Sequence, residues 1–216
     1  MEIWDLYDAD RNITDKKMIR GEKTPDGYYR LVVGICIFNS KGEMLIQKRQ
    51  PFKHGWSGLW DITVGGAAIA GENNRSAAER EVREELGLEI SLAGIAPKVS
   101  FAFETVFADF YLLNMDVDLD SLSLQYEEVE KVAWASREKI HDMIDRKEFI
   151  TYDKSIIDMM FFFRNHNEVF HVKLFGCEFF VAFSQESYKE RSDNVHNAKD
   201  NASIPHTVGN ACSCSN

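Results

Sequence analysis

The sequence predicts an α/β/α sandwich built on a mixed β-sheet. Three observations point there. Residues 31–38 form a continuous apolar, β-branched run, the pattern of a buried strand. Strand-like segments stand on either side of a single loop–helix unit at about 65–86. A further helical stretch closes the region near residue 164. Such alternation is satisfied by helices laid on both faces of one sheet.

In order, residues 3–7 read as a short strand followed by a turn at Asp8-Ala9-Asp10. After the strand at 31–38, Asn39-Ser40-Lys41-Gly42 is a turn, and residues 44–48 are expected to pair back as a hairpin. A loop occupies 50–58, and residues 59–64 lead into Gly65-Gly66. A helix is predicted over 74–86. Asn73 or Asn74 serves as its N-cap, Ala78, Val82 and Leu86 form its apolar stripe, and Gly87 ends it in a left-handed turn. Residues 99–105 and 108–113 read as a second hairpin, 129–135 as an alternating strand, and 137–144 and 154–164 as helices. Residues 169–183 suggest an extra hairpin. From Ser184 the chain is rich in Asn, Ser, Asp and Lys, a composition that predicts disorder over 184–216. The expected organisation is a catalytic domain over 1–165, the hairpin over 166–183, and the tail.

The predicted helix carries Glu84 and Glu85 three and four residues after Glu81, so all three carboxylates share one face. Like charges this close repel by roughly a few tenths of a kcal/mol per pair. Hard divalent cations want such oxygen ligands, together with substrate phosphates. Gly65-Gly66 lets backbone come close to a ligand. Glu72 and Arg80 bracket the loop and helix with opposite charges.

Gly66, Glu72, Arg80, Glu81, Val82, Glu84, Glu85, Gly87 and Leu88 fill every fixed position of a pattern similar to the Nudix box, Gly-x5-Glu-x7-Arg-Glu-U-x-Glu-Glu-x-Gly-U, where U is a bulky aliphatic. The resemblance spans about residues 1–165. It implies a Nudix-type sandwich and metal-dependent hydrolysis of a nucleoside diphosphate derivative or related diphosphate, with Mg2+ or Mn2+. Glu81 and Glu85 are the expected metal ligands. Glu84 completes the cluster or takes the proton from water, and the Gly66 carbonyl is a further ligand. Glu72 and Arg80 are assigned to architecture, as a salt bridge fixing the loop above the helix. Nudix enzymes often draw another carboxylate from a late loop. Glu128, beside Glu127, stands in that location and is the third catalytic candidate.

Lys48, Arg49, Lys53 and His54, with Phe52, Trp56 and Trp60, make a basic and aromatic cluster in an acidic chain. Arg49 and Lys53 are candidate phosphate contacts and Trp56 a surface for a base to stack on. The segment Trp60-Asp61-Ile62-Thr63-Val64-Gly65-Gly66 also resembles the branch related to isopentenyl-diphosphate isomerase. That rival needs a cysteine and a histidine where this chain has Gly65 and Ala67. A non-catalytic Nudix-like binding module is the third reading, and the complete set of box glutamates argues against it.

The chain has 216 residues, 44% of them hydrophobic, enough for one domain with appendages. Its net charge of −10 argues against general nucleic-acid binding. The expected partner is a small diphosphate. No apolar run reaches membrane-span length, and the amino terminus lacks a signal-peptide pattern. Four cysteines without zinc-like spacing fit a reducing cytoplasm. A homodimer formed through the amino-terminal strand is a further expectation.

Overall fold

The computed structural model describes residues 2–165, 170–174 and 177–181. It divides into two units, Met1–His166 and Asn167–Asn216. In the second unit Phe170–Leu174 and Cys177–Val181 pair antiparallel, from Phe170 opposite Val181 to Leu174 opposite Cys177. The tail expected to be disordered lies outside the described residues.

The first unit runs β1 (Ile3–Tyr7), β2 (Ile13–Ile19), β3 (Arg30–Phe38), β4 (Met44–Arg49), β5 (Trp60–Asp61), β6 (Val64–Ala67), α1 (Asn74–Leu86), β7 (Val99–Phe103), β8 (Val106–Asn114), β9 (Val129–Ala135), α2 (Arg137–Asp145) and α3 (Lys154–Phe163). Strands β3 to β9 form one mixed sheet. In it β8 lies parallel to β3, while β6 runs antiparallel to β3 and β9 antiparallel to β4. The two faces of β3 explain the layers. Val33, Ile35 and Ile37 pack with Leu45 and Val64 against Ala77, Ala78, Val82 and Leu86 of α1. The alternate residues Cys36 and Phe38 pack with Met44 and Ile46 against Ile140, Met143, Ile157 and Met160 of α2 and α3. This is the α/β/α sandwich that the residue pattern predicts.

The expected β3–β4 hairpin forms, but it is shorter than the residue pattern predicts. The two strands pair only at Phe38 opposite Met44, and then diverge. Thr63, fully buried, fills the gap: its hydroxyl accepts the Ile37 N–H at 2.9 Å and donates to the Leu45 carbonyl. Beyond that wedge β6 takes the place beside β3, from Val32 opposite Ala67 to Ile35 opposite Val64. Gly65-Gly66 is thereby held inside the sheet, immediately before the loop that leads to α1.

Strand β2 has no counterpart among the expected elements. It pairs with β1 from Ile3 opposite Ile19 to Tyr7 opposite Ile13, so β1 finds its partner within the chain. The hairpin is fastened to the rest. The Ala70 amide donates to the Ile3 carbonyl at 2.8 Å and the Gly71 amide to Asp5 Oδ2 at 2.6 Å. Arg11 reaches the buried Asp109 at 2.7 Å. The loop between β6 and α1 hangs from this hairpin. Among the described residues, no helix is long and apolar enough to cross a membrane.

Candidate active site

Helix α1 is fixed at both ends. Asn73 Oδ1 accepts from the Arg75 and Ser76 amides, each at 3.0 Å, and Ser76 Oγ accepts from the Asn73 amide at 3.0 Å. This reciprocal cap satisfies amides that the helix itself leaves free. At the other end Gly87 turns left-handed, with φ of 64°. The last carbonyls also find partners in a distant loop: the Ser123 amide donates to Leu86 O and the Gln125 amide to Glu85 O, both at 3.0 Å. The loop that carries Glu128 is thus hung from the end of the helix that carries Glu85.

Arg80 is the hub of the helix's polar side. Its Nε donates to Glu72 Oε1 at 2.8 Å and its Nη2 to Glu72 Oε2 at 3.0 Å, a two-pronged pair. Nη2 also reaches the Ala67 carbonyl at 3.0 Å, while Nη1 reaches Glu81 at 3.0 Å and Glu84 at 2.9 Å. Glu72 Oε2 takes the Ile69 amide at 3.0 Å, which ties the loop to itself. Three carboxylates around one guanidinium hold Arg80 firmly charged. Glu84 is about half exposed.

Glu81 lies on Gly66. A β-carbon at residue 66 would stand 2.0 Å from Glu81 Oε1, so the carboxylate occupies the space that a side chain would take. Glu85 is only 4% exposed, and its Oε2 accepts from Gln47 Nε2 at 2.9 Å. Burial pushes Glu81 up to about 7 and Glu85 up to about 8, with the neighbouring Glu81 adding to the rise at Glu85. The burial of Val82 and Leu86, worth roughly 1.5–3 kcal/mol each, offsets the cost of keeping these acids on the same helix.

The opposite wall comes from the loop after β4 and the loop before β9. Glu128 acts electrostatically on Glu85 and is paired with Lys53. Two residues that the sequence assigns to different roles are therefore each other's partner. Arg49 has a buried Nε without a hydrogen-bond partner. Trp56 is 51% exposed on the loop, with a positive φ of 53°. Trp60 packs beside the α2–α3 core, with Lys131 over its ring. Lys48 pairs with Glu130 at 2.8 Å.

Sequence reasoning passed over Gln47 and Asp61. Asp61 is buried, accepts from Tyr152 Oη at 3.2 Å, and is pushed up to about 6 by that burial. The signal for Gln47 was available: it alternates with Arg49 on β4, so both point to the same side of the strand.

Among the described residues, no three His, Cys, Asp or Glu side chains converge as a ready metal cage. The reason is visible, since Arg80 holds both Glu81 and Glu84. The donor set nevertheless fits a hard cation. It is all oxygen, Glu81 sits on Gly66, and Gln47 Oε1 is a buried acceptor with no partner beside the buried Glu85.

Comparison with known proteins completes the picture. The NUDIX domain family matches residues 28–158. An uncharacterised Nudix hydrolase of Listeria innocua is 48% identical over 152 residues, covering 70% of this chain and 90% of that protein. An isopentenyl-diphosphate Delta-isomerase of Escherichia coli is 38% identical over 68 residues, 32% of this chain and 37% of that one. A Deinococcus radiodurans protein of known crystal structure shares the fold, with a TM-score of 0.61 at 24% identity over 74% of this chain and 99% of that chain.

Proposed function

The chain belongs to the NUDIX family as a Nudix hydrolase, and from that premise we propose that it cleaves a small-molecule diphosphate with water, using Mg2+ or Mn2+. The observation that carries this reading is the placement of Glu81, Glu84 and Glu85 on one face of α1, with Glu81 against Gly66 and Glu128 near Glu85. Glu81 and Glu85, with Glu84 and the Gly66 carbonyl, would hold the cation. When bound, it supplies the positive charge that accepts phosphate oxygens and acidifies water.

The remaining steps belong to the chain's own side chains. Arg80 and Glu72 hold the loop in place so that Gly66 and Glu81 stay together. Arg49, with its buried Nε free, faces an arriving phosphate. Lys53 turns from Glu128 to a phosphate oxygen, and Glu128 is left as the carboxylate that takes the proton of the attacking water. Glu84, about half exposed, is the second candidate for that proton. Trp56 offers an exposed ring to the part of the substrate that is not phosphate.

The partial match to the isomerase does not favour double-bond chemistry here. Gly65, where the isomerase branch needs a thiol, lies opposite Gly34 inside the sheet and has no side chain. Cys36 is fully buried in the α2–α3 core, on the other face of the sheet from α1.

The test is a screen of small diphosphates with Mg2+, scored by phosphate release after phosphatase coupling, with and without excess chelator. Turnover that requires the metal supports the reading. Undiminished turnover in chelator, or deuterium uptake by isopentenyl diphosphate above the uncatalysed background, would overturn it.

A further inference from the structure

Gln47 stands where the fold calls for an apolar residue. Two residues earlier on β4, Leu45 packs in the α1 core, and strand alternation sends Gln47 to the same face. Gln47 is 2% exposed, and Val132 and Asp61 flank it as β-sheet partners. A buried carboxamide is costly unless both of its ends are used. Here only one is. Nε2 donates to Glu85 Oε2 at 2.9 Å, and Oε1 has no partner.

The orientation of the amide follows from that contact. In the cation-bound state, where Glu85 is ionised, turning it over would set oxygen against a carboxylate oxygen. Since Oε1 and Nε2 share one carbon, the unused oxygen stays close to the Glu85 carboxylate. The groups acting on Glu85 are Glu81, Glu128 and Asp61, all acceptors when ionised. None of them can donate to Gln47 in that state. What suits a buried oxygen among carboxylates is a cation.

We propose that Gln47 belongs to the cation site, with its amide nitrogen fixing Glu85 and its carbonyl oxygen supplying a neutral ligand to the divalent ion. The assignment rests on the metal-dependent reading above and adds to it a residue outside the box. It also explains why β4 carries an amide beneath α1: a carboxylate there would repel Glu85, and an apolar side chain would leave Glu85 without a donor.

The test compares metal binding to the full chain and to two variants, Gln47→Leu and Gln47→Met, by titration with Mn2+ and with Cd2+. Circular dichroism and the melting temperature without metal report folding. Loss of one such residue is expected to weaken Mn2+ binding by ~10- to 100-fold in both variants. Cd2+ binding should fall in the leucine variant and hold in the methionine variant, whose thioether stands near the lost oxygen and suits a softer ion. Mn2+ affinity equal to the parent's in either variant would overturn the assignment. Equal weakening of Mn2+ and Cd2+ in the methionine variant would do so as well, since it would reduce Gln47 to a prop for Glu85. If the leucine variant does not fold, the unbranched methionine variant decides alone. A parent chain that binds neither metal would overturn the metal-dependent reading itself, whereas a binding parent with unaffected variants sinks Gln47 alone.

Discussion

Replacing Glu85 by glutamine should stabilise the protein without metal while disabling it. Glu85 is 4% exposed, and its carboxyl is raised from 4.5 to about 8 by burial first and by Glu81 second. Each tenfold change in proton affinity is worth ~1.4 kcal/mol. Ionising Glu85 in the folded protein therefore costs on the order of 3–5 kcal/mol relative to the unfolded chain. The sign follows from proton linkage. Between about 4.5 and about 8 the folded state keeps a proton that the unfolded state has lost. Stability thus falls as pH rises through that window. The glutamine of the Glu85→Gln variant would lack the charge, keep the shape and still accept from Gln47 Nε2. The metal-free variant and parent should melt alike near pH 4.5 and separate steadily up to pH 8. At ~2–4 °C per kcal/mol for a chain of this size, the gap should reach roughly 6–20 °C in favour of the variant. Glu81, raised to about 7 by its own burial, stays in both proteins and cancels in the comparison. Mn2+ should then raise the parent's melting temperature and leave the variant's nearly unchanged. The assay is differential scanning fluorimetry in chelator and in Mn2+ across the pH range. Coincident metal-free melting curves at about pH 8, or a variant that melts lower, would refute the reasoning that Glu85 is a buried charge held ready for a cation.

Arg80→Ala should lower stability by ~3 kcal/mol, because it strands the largely buried Glu72. Arg80→Lys should recover only part of that, since an ammonium cannot reproduce the two-pronged contact; thermal melts of both variants check this. Gly66→Ala should leave the fold nearly intact, for only the flexible end of Glu81 meets the new methyl, but Mn2+ affinity should drop as Glu81 is pushed aside. A metal titration beside a melting curve separates the two effects. Lys53→Ala should lower stability by up to ~3 kcal/mol, since Lys53 is largely buried and its loss leaves Glu128 unpaired. Steady-state kinetics should show a raised KM, and an unchanged KM would remove Lys53 from phosphate binding.

Much of this protein is legible in its sequence because local rules decide it. Asn73, the Ala78–Val82–Leu86 spacing and Gly87 define α1 through capping, periodicity and a left-handed turn. An unbroken apolar run marks β3, and one interrupted only by the buried Asp109 marks β8, because both faces of a central strand are buried. The spacing of Glu81, Glu84 and Glu85 alone puts them on one helical face, since a helix repeats about every 3.6 residues. Tertiary structure decided what depends on contacts distant in sequence. The β3–β4 turn is plain in the residues, yet Thr63 pries the strands apart from 18 positions beyond Leu45. The tilt of Glu81 onto Gly66, the pairing of Lys53 with Glu128, and the reach of the loop at Gln125 to the end of α1 all join segments with no local signal for one another. Gln47 is the clearest case. On its strand it reads as the first of three polar residues after an apolar run, and only the helix laid across it supplies the buried carboxylate that gives its amide a use. Short-range periodicity fixes which face a side chain takes, and the packing of distant elements fixes what that face meets.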